Sequence, residues 1–292
     1  MSAVMAIGTA QFGMDYGISN ETGKLSSKET KDVLDRARAA GIGILDTAPA
    51  YGASERILAG SRLDGFSVIT KTIHLPSDAA SQSELELEKI VRAGLDRSLE
   101  LLGAVDGMLV HQYSDLMGTF GPRFWDILTE YRGAGLVRRI GMSIYDGEQI
   151  DHLLSHFDVD LVQLPFNILD QRLLHSGHLA RLKNANVEIH ARSLFLQGLL
   201  VDLKSQELDY FTPWRKLLTE WNVFVADSGR TAQDIAISFV RGQKEIDVAV
   251  IGVTSCGELE ECLQSFEKST VNNAESLACD DAQLLNPGNW KI

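Results

Sequence analysis

The stretch MAIGTAQFGMDYG, residues 5–17, decides between two folds. It opens as a short apolar run and passes straight into a loop. An open, doubly wound sheet that holds a dinucleotide usually shows GxGxxG after its first strand, where glycines let backbone amides approach the pyrophosphate. Here the glycines stand at 8, 13 and 17 and lack that spacing, and no GxxxxGK occurs in the chain. The first strand therefore weighs against the open sheet.

The rest of the chain supplies the alternative. With MAIGT (5–9), eight apolar runs are expected as strands: IGILD (42–46), FSVITK (66–71), DGMLVH (106–111), RRIGMS (138–143), DLVQ (160–163), VEIHARS (187–193) and DVAVIG (247–252). They are short, rich in Val, Ile and Leu, and mostly not alternating, as parallel strands covered on both faces are. Helical patterns lie between them. SSKETKDVLDRARAAG places Val33, Leu34 and Ala37 on one face, with Ser27 as N-cap and Gly41 as C-cap. SELELEKIVRAGLDRSLELLG carries Leu87, Val91, Leu95 and Leu99 at helical spacing. RFWDILTEYRGAG, DGEQIDHLLSHF, HLARLKNAN, TAQDIAISFVRG and SCGELEECLQSF follow the same pattern, and the second unit has only the short SERILAG. Strand then helix, eight times, points to a closed (β/α)8 barrel, an α/β fold of the TIM-barrel type. A single domain over residues 1–292 is expected, with an enlarged loop at about 197–230 and a tail from about 270.

Composition narrows the function. The net charge of -13 and the lack of any Lys/Arg run speak against a nucleic-acid partner. No run approaches a membrane span. No Lys or Arg precedes Lys24, so no signal peptide is expected. Cys256, Cys262 and Cys279 are odd in number and form no CxxC, which fits reduced thiols in a cytoplasmic protein.

In a barrel, the C-terminal strand ends converge on one mouth. They are Asp46, Lys71, His111, Ser143, Gln163 and, on the seventh strand, Arg192 and Ser193. Each alone is expected as a turn residue or solvated terminus. Ionisable groups from consecutive strands, facing one another, instead mark a site. Tyr51, five residues after Asp46 in DTAPAYG (46–52), adds the chemistry. A phenol titrates near 10, and a nearby cation lowers that value. Lys71 is the candidate cation, Asp46 its partner, and His111 a hydrogen-bonding group for the phenol or a substrate oxygen. Such a phenol is a proton donor for carbonyl reduction, with no metal required.

These segments resemble the aldo-keto reductases over nearly the whole chain. DTAPAYGASE is similar to that family's second-strand signature, VITK to its lysine segment and LVHQ to its histidine segment. IGMS, VQLPFN, ARSLFLQGLL and IGVTSCGELEECL resemble its later cofactor segments in order. The opening GTAQFGMDYGISNETGK resembles a bacterial branch often linked to surface-polysaccharide loci. The resemblance implies NAD(P)H-dependent reduction of an aldehyde or ketone, a small-molecule carbonyl that in that branch could be sugar-derived, with Tyr51 as general acid tuned by Lys71, Asp46 and His111. It implies cofactor contacts from Gly8, Thr9, Asp46, Ser143, Gln163, Arg192, Ser193, Phe195, Gln197, Gly198, Gly252, Thr254, Glu258, Glu261 and Cys262. Arg192 falls where the family usually stacks an aromatic on the nicotinamide, and Ile144 where most members have Asn. The cations that usually grip a 2′-phosphate are replaced by Gly252, Val253 and Glu258. NADPH stands first on family grounds, with NADH as the alternative.

Two other readings use the same residues: a cofactor-binding regulatory or sensor protein with little turnover, and a lyase or isomerase with a Schiff base on Lys71. His152 and His156, four apart on a helix outside the barrel, are expected as a surface pair. His190 is expected to pack against the barrel wall. Neither the substrate nor the oligomeric state is legible.

Overall fold

The computed structural model describes residues 3–271 and 274–292. Met1, Ser2, Asn272 and Asn273, which fall within the expected domain and its tail, lie outside the described residues. Eight parallel strands close in sequence order: β1 (Val4–Gly8), β2 (Ile44–Asp46), β3 (Ser67–Lys71), β4 (Val105–Val110), β5 (Val137–Ser143), β6 (Leu161–Pro165), β7 (Glu188–Arg192) and β8 (Val248–Gly252). β8 returns to pair with β1, from Val4 opposite Val248 to Gly8 opposite Gly252. The expected (β/α)8 barrel is therefore the observed one.

Burial explains why the strands do not alternate. Ala6, Val248 and Val250, with Ile44, form one small cluster, and Ile69, Leu109 and Leu161 another. The intervening residues, among them Ile7, Val68, Met108, Ala249 and Ile251, join the large core shared with the helices. Both faces are apolar because one packs into the barrel and the other against the helical ring. His190 is fully buried on β7, and its Nε2 lies 2.7 Å from Glu188 Oε1. Glu188 in turn pairs with Arg139.

The outer helices are α1 (Ser27–Ala39), α2 (Ser54–Ala59), α3 (Glu84–Leu102), α4 (Gly121–Gly133), α5 (Gly147–His156), α6 (His178–Asn184), α7 (Arg215–Ser228), α8 (Ala232–Arg241) and α9 (Cys256–Phe266). The N-cap of α1 is Ser26, not Ser27. Its hydroxyl accepts from Glu29 N while Glu29 accepts from Ser26 N. Glutamate three residues on completes a capping box only from Ser26. The expected loop at 197–230 contains α7 in its second half. Trp221 on that helix is fully buried and donates to Leu200 O at 3.0 Å, tying α7 to the loop after β7. Trp290 packs edge-on against Phe211 at 4.9 Å and donates to Leu284 O.

Two backbones meet closely where the loops after β1 and β2 cross. A Cβ on Gly13 would lie 1.9 Å from Tyr51 O and 2.4 Å from Ser54 N. Gly52 has φ +61°, and a Cβ there would lie 2.5 Å from Gly13 O. Both positions need glycine, one for space and one for conformation as well. This contact fixes the backbone on which Tyr51 stands. Gly13→Ala is expected to cost at least about 1–3 kcal/mol, read from urea unfolding. It should also lower turnover, since the Tyr51 backbone must move. Unchanged stability and rate would show the contact to be dispensable.

Candidate active site

Asp46 ends β2 and is nearly fully buried. Its backbone carbonyl accepts from Thr9 N and Thr9 Oγ1, each at 2.9 Å, and Ser54 Oγ donates to Thr9 Oγ1 at 2.7 Å. Thr9 is thus fully buried with its hydroxyl engaged beneath the mouth. Lys71 ends β3 and is 1% exposed. Its Nζ donates to Asp46 Oδ1 at 2.7 Å, Asp46 Oδ2 at 2.9 Å and Thr47 O at 3.0 Å. Gln163 Nε2, from β6, donates to the same Asp46 Oδ1 at 2.7 Å. Three strand ends are therefore joined through one carboxylate.

Tyr51 lies above this pair, with Lys71 Nζ 4.9 Å from its ring centre. The His111 ring stands edge-on to Tyr51 at 6.1 Å between centres, and His74 packs against His111 at 4.7 Å. Burial raises the phenol above its usual value of 10. The Lys71 ammonium opposes this, the Asp46 carboxylate adds to it, and the net direction is up. That corrects the expectation of a lowered phenol: burial outweighs the cation, and the cation's own carboxylate opposes it further. Burial pulls Lys71 down, but Asp46 and Tyr51 together outweigh it and the ammonium stays charged. Burial, then Lys71, His74 and Arg192, hold His111 down at about 3, so its imidazole is neutral at working pH. A Schiff base on Lys71 would need a free amine, which this ion pair disfavours.

A cleft of about 590 Å³ opens from this mouth. Gly8, Asp46, Tyr51, Gln163 and Arg192 line its catalytic end. Ser193, Phe195, Gln197 and Gly198, after β7, line its middle. Gly252, Thr254, Glu258, Glu261 and Cys262 line the part beside β8 and α9. Lys71 lies behind Asp46, and His111 and Ser143 sit at their strand ends outside the lining. Ser143 is paired in register with Gln163. Ser193, Leu196 and Gln197 hold left-handed backbone at φ 62°, 48° and 53°. Strain in non-glycine residues concentrates at ligand sites. The loop after β1 reaches this segment, with Ile18 N donating to Gln197 O at 3.0 Å.

The lining fits an extended nicotinamide dinucleotide. Gln163 Oε1 and Gln11 Oε1 are buried acceptors without a partner among the described residues. A carboxamide N–H at the catalytic end would satisfy Gln163. Burial, with Glu258 and Glu261, pushes the Cys262 thiol up to about 12, so it is no nucleophile. Among the described residues no group of three His, Cys, Asp or Glu could hold a metal. His152 and His156 stack ring on ring at 4.1 Å outside the barrel. No helix of the described residues is long and apolar enough to cross a membrane.

Gln11, Tyr16, His74 and Tyr145 escaped the sequence reading. Gln11 lies in the helical turn Ala10–Gly13 and the other three in loops, none at a strand end, and no spacing marks them. Tyr16 lines the cleft, and Gln197 Nε2 reaches its hydroxyl at 3.5 Å. Burial raises its phenol, against the pull of Arg192.

Known proteins resemble this chain. The model of the Aldo/keto reductase family matches residues 4–283. The D-arabinose 1-dehydrogenase of Saccharomyces cerevisiae is 27% identical, with 87% of this chain and 81% of that protein covered. The NADH-specific methylglyoxal reductase of Escherichia coli is 24% identical, with 96% and 95% covered. An aldo-keto reductase of Bacillus halodurans, solved in its holo form, superposes with a TM-score of 0.73 at 17% identity, covering 98% of this chain and 95% of that one. With the family model spanning nearly its full length, the chain belongs to the aldo/keto reductase family and is an NAD(P)-dependent oxidoreductase.

Proposed function

We propose that this protein reduces an aldehyde or ketone, with the proton supplied by Tyr51. The observation that carries the reading is the buried phenol set between the Lys71–Asp46 pair and a neutral His111. The bound nicotinamide supplies hydride. Tyr51 Oη then gives its proton to the carbonyl oxygen. The neutral His111 holds that oxygen by a hydrogen bond, and Lys71 stabilises the phenolate left behind. Gln163 and Ser143 would hold the carboxamide, and the strained segment from Ser193 to Gly198 would cover the pyrophosphate.

NADH is the cofactor that the far end of the cleft supports. Glu258 Oε2 accepts Thr254 N at 2.6 Å, and Ser255 Oγ accepts Glu258 N. The start of α9, where a 2′-phosphate would find amides, thus already carries a carboxylate. Glu261 is a second carboxylate on the cleft wall, and no cation lines this end among the described residues. Family resemblance alone favours NADPH; the Glu258 geometry weighs the other way. A ribose 2′-hydroxyl can donate to Glu258, whereas a phosphate is repelled. The relative from Escherichia coli described as NADH-specific is consistent with this.

Tyr51→Phe should keep cofactor affinity, followed by tryptophan fluorescence, and lose about 10²–10⁴-fold in turnover. Turnover within twofold of the parent would remove Tyr51 as the acid. Cofactor binding by the parent without turnover on a broad carbonyl panel would favour a regulatory role instead.

The pH profile of reduction should be flat from pH 5 to 8, because His111 is already neutral there. Loss should come only on the alkaline side, as the raised phenol begins to ionise. The reverse oxidation needs the phenolate and should rise with pH. A His111 titration between pH 5 and 8, followed by NMR, would contradict this electrostatic picture.

Titration should give a lower Kd for NADH than for NADPH. Glu258→Gln should narrow the gap by about tenfold or less, the scale of one charge near a helix terminus. Tighter binding of NADPH by the parent protein would refute the role given to Glu258.

A further inference from the structure

In the closed strand order, β3 and β4 stand across the barrel from β7 and β8. The cleft that fits the dinucleotide runs along the β6–β8 side, past Gln163, Arg192, Ser193 and Gly252. A carbonyl that reaches both Tyr51 and His111 therefore lies between the nicotinamide and the loops after β3 and β4. Side chains on that wall meet the substrate with no cofactor in between.

His74 stands on that wall. It follows the end of β3 by three residues, is exposed, and sets its ring against His111 at 4.7 Å between centres, with 67° between the planes. The backbone on either side of it is tied to the β4 side. His111 N donates to Thr72 Oγ1 at 3.2 Å, and Leu75 N reaches Oδ2 of the buried Asp115 at 3.4 Å. The position of the ring is thus set before any ligand arrives. Among the described residues, the histidine rings that hydrogen-bond or pair with an acid are those of His156, His178 and His190. The ring nitrogens of His74 are left to solvent or to a ligand. An imidazole offers at least one N–H donor in either protonation state.

We infer that His74 contacts the substrate and selects for a hydroxyl on the carbon next to the reacting carbonyl. The two imidazoles touch, so the oxygens they hold belong to neighbouring carbons of the substrate. His111 takes the carbonyl oxygen and His74 the adjacent hydroxyl. The substrate class is a 2-hydroxy aldehyde or ketone. Because His74 is exposed, water satisfies it when the hydroxyl is missing. The preference is therefore that of one neutral hydrogen bond, without the larger penalty of a buried group left unpaired. This rests on the reductase reading above and gives it a substrate class.

The test compares 2-hydroxypropanal with propanal, using the parent protein and His74 variants saturated with whichever nicotinamide cofactor binds more tightly. The two aldehydes differ in intrinsic reactivity, but that difference is the same for every variant and cancels when their kcat/KM ratios are compared. His74→Ala and His74→Phe should each lower kcat/KM for 2-hydroxypropanal by about 3–10-fold, mainly through KM, and leave propanal within about twofold. Phe keeps a ring against His111 and removes the hydrogen bond, which separates packing from recognition. His74→Gln, which restores an N–H donor, should recover part of the preference. The Kd for the cofactor should not change in any of them. An equal loss on both aldehydes would make His74 a support for His111 and overturn the inference. A ratio unchanged from the parent in His74→Ala and His74→Phe would overturn it as well, as would full preference retained in His74→Phe alone. In each of these cases propanal is still reduced and the reductase reading stands. Absence of turnover on either aldehyde by the parent protein, with cofactor bound, would refute both.

Discussion

The ion pair between Lys71 and Asp46 is the constraint on which the mouth of this barrel is built. Both groups are almost fully buried, and each charge would be expensive alone. Removing one member of such a pair costs about 3–5 kcal/mol in typical cases. Every other arrangement at the mouth serves to make the pair tolerable. Gln163 and the Thr47 carbonyl take up remaining hydrogen-bonding capacity, while Thr9 and Ser54 fix the Asp46 backbone. The pair also determines what its neighbours can do. It leaves an ammonium 4.9 Å from the Tyr51 ring centre, while burial holds the phenol above its usual value. Burial keeps His111 uncharged, and the Lys71 ammonium adds to that effect.

Around that fixed centre, the cleft is asymmetric in charge. The end beside α9 carries Glu258 and Glu261, and the other end carries Arg192, which has no carboxylate partner among the described residues. The loops that roof the middle, after β1 and β7, touch at Ile18 and Gln197 and bring strained backbone to the cleft. Just beyond this segment, Trp221 donates to Leu200 O.

Much of this was legible from residue order. Strand ends are the one place where sequence and space coincide in a barrel, because parallel strands deliver their last residues to one face. Asp46, Lys71, Gln163 and Arg192 could be placed together on that basis. Tyr16 and Tyr145 could not, since loop direction depends on contacts distant in the chain, such as Ile18 with Gln197. The cap at Ser26 was missed by one residue because two serines stand in tandem, and only the reciprocal bond with Glu29 tells them apart.

The sequence by itself determined the eight-fold succession of strand and helix, the family, and the chemical types gathered at the mouth. Those follow from local hydrophobic pattern and from residue identity, which survive without coordinates. Only the tertiary structure decided the sign of the electrostatics. Whether Tyr51 is raised or lowered depends on burial against a cation already bound to Asp46. Whether Glu258 faces solvent or occupies the start of α9 depends on one hydrogen bond to Thr254. Whether Arg192 is paired depends on which carboxylates the fold brings within reach. Such balances are small differences between large opposing terms, set by distances of a few ångströms that no linear spacing encodes.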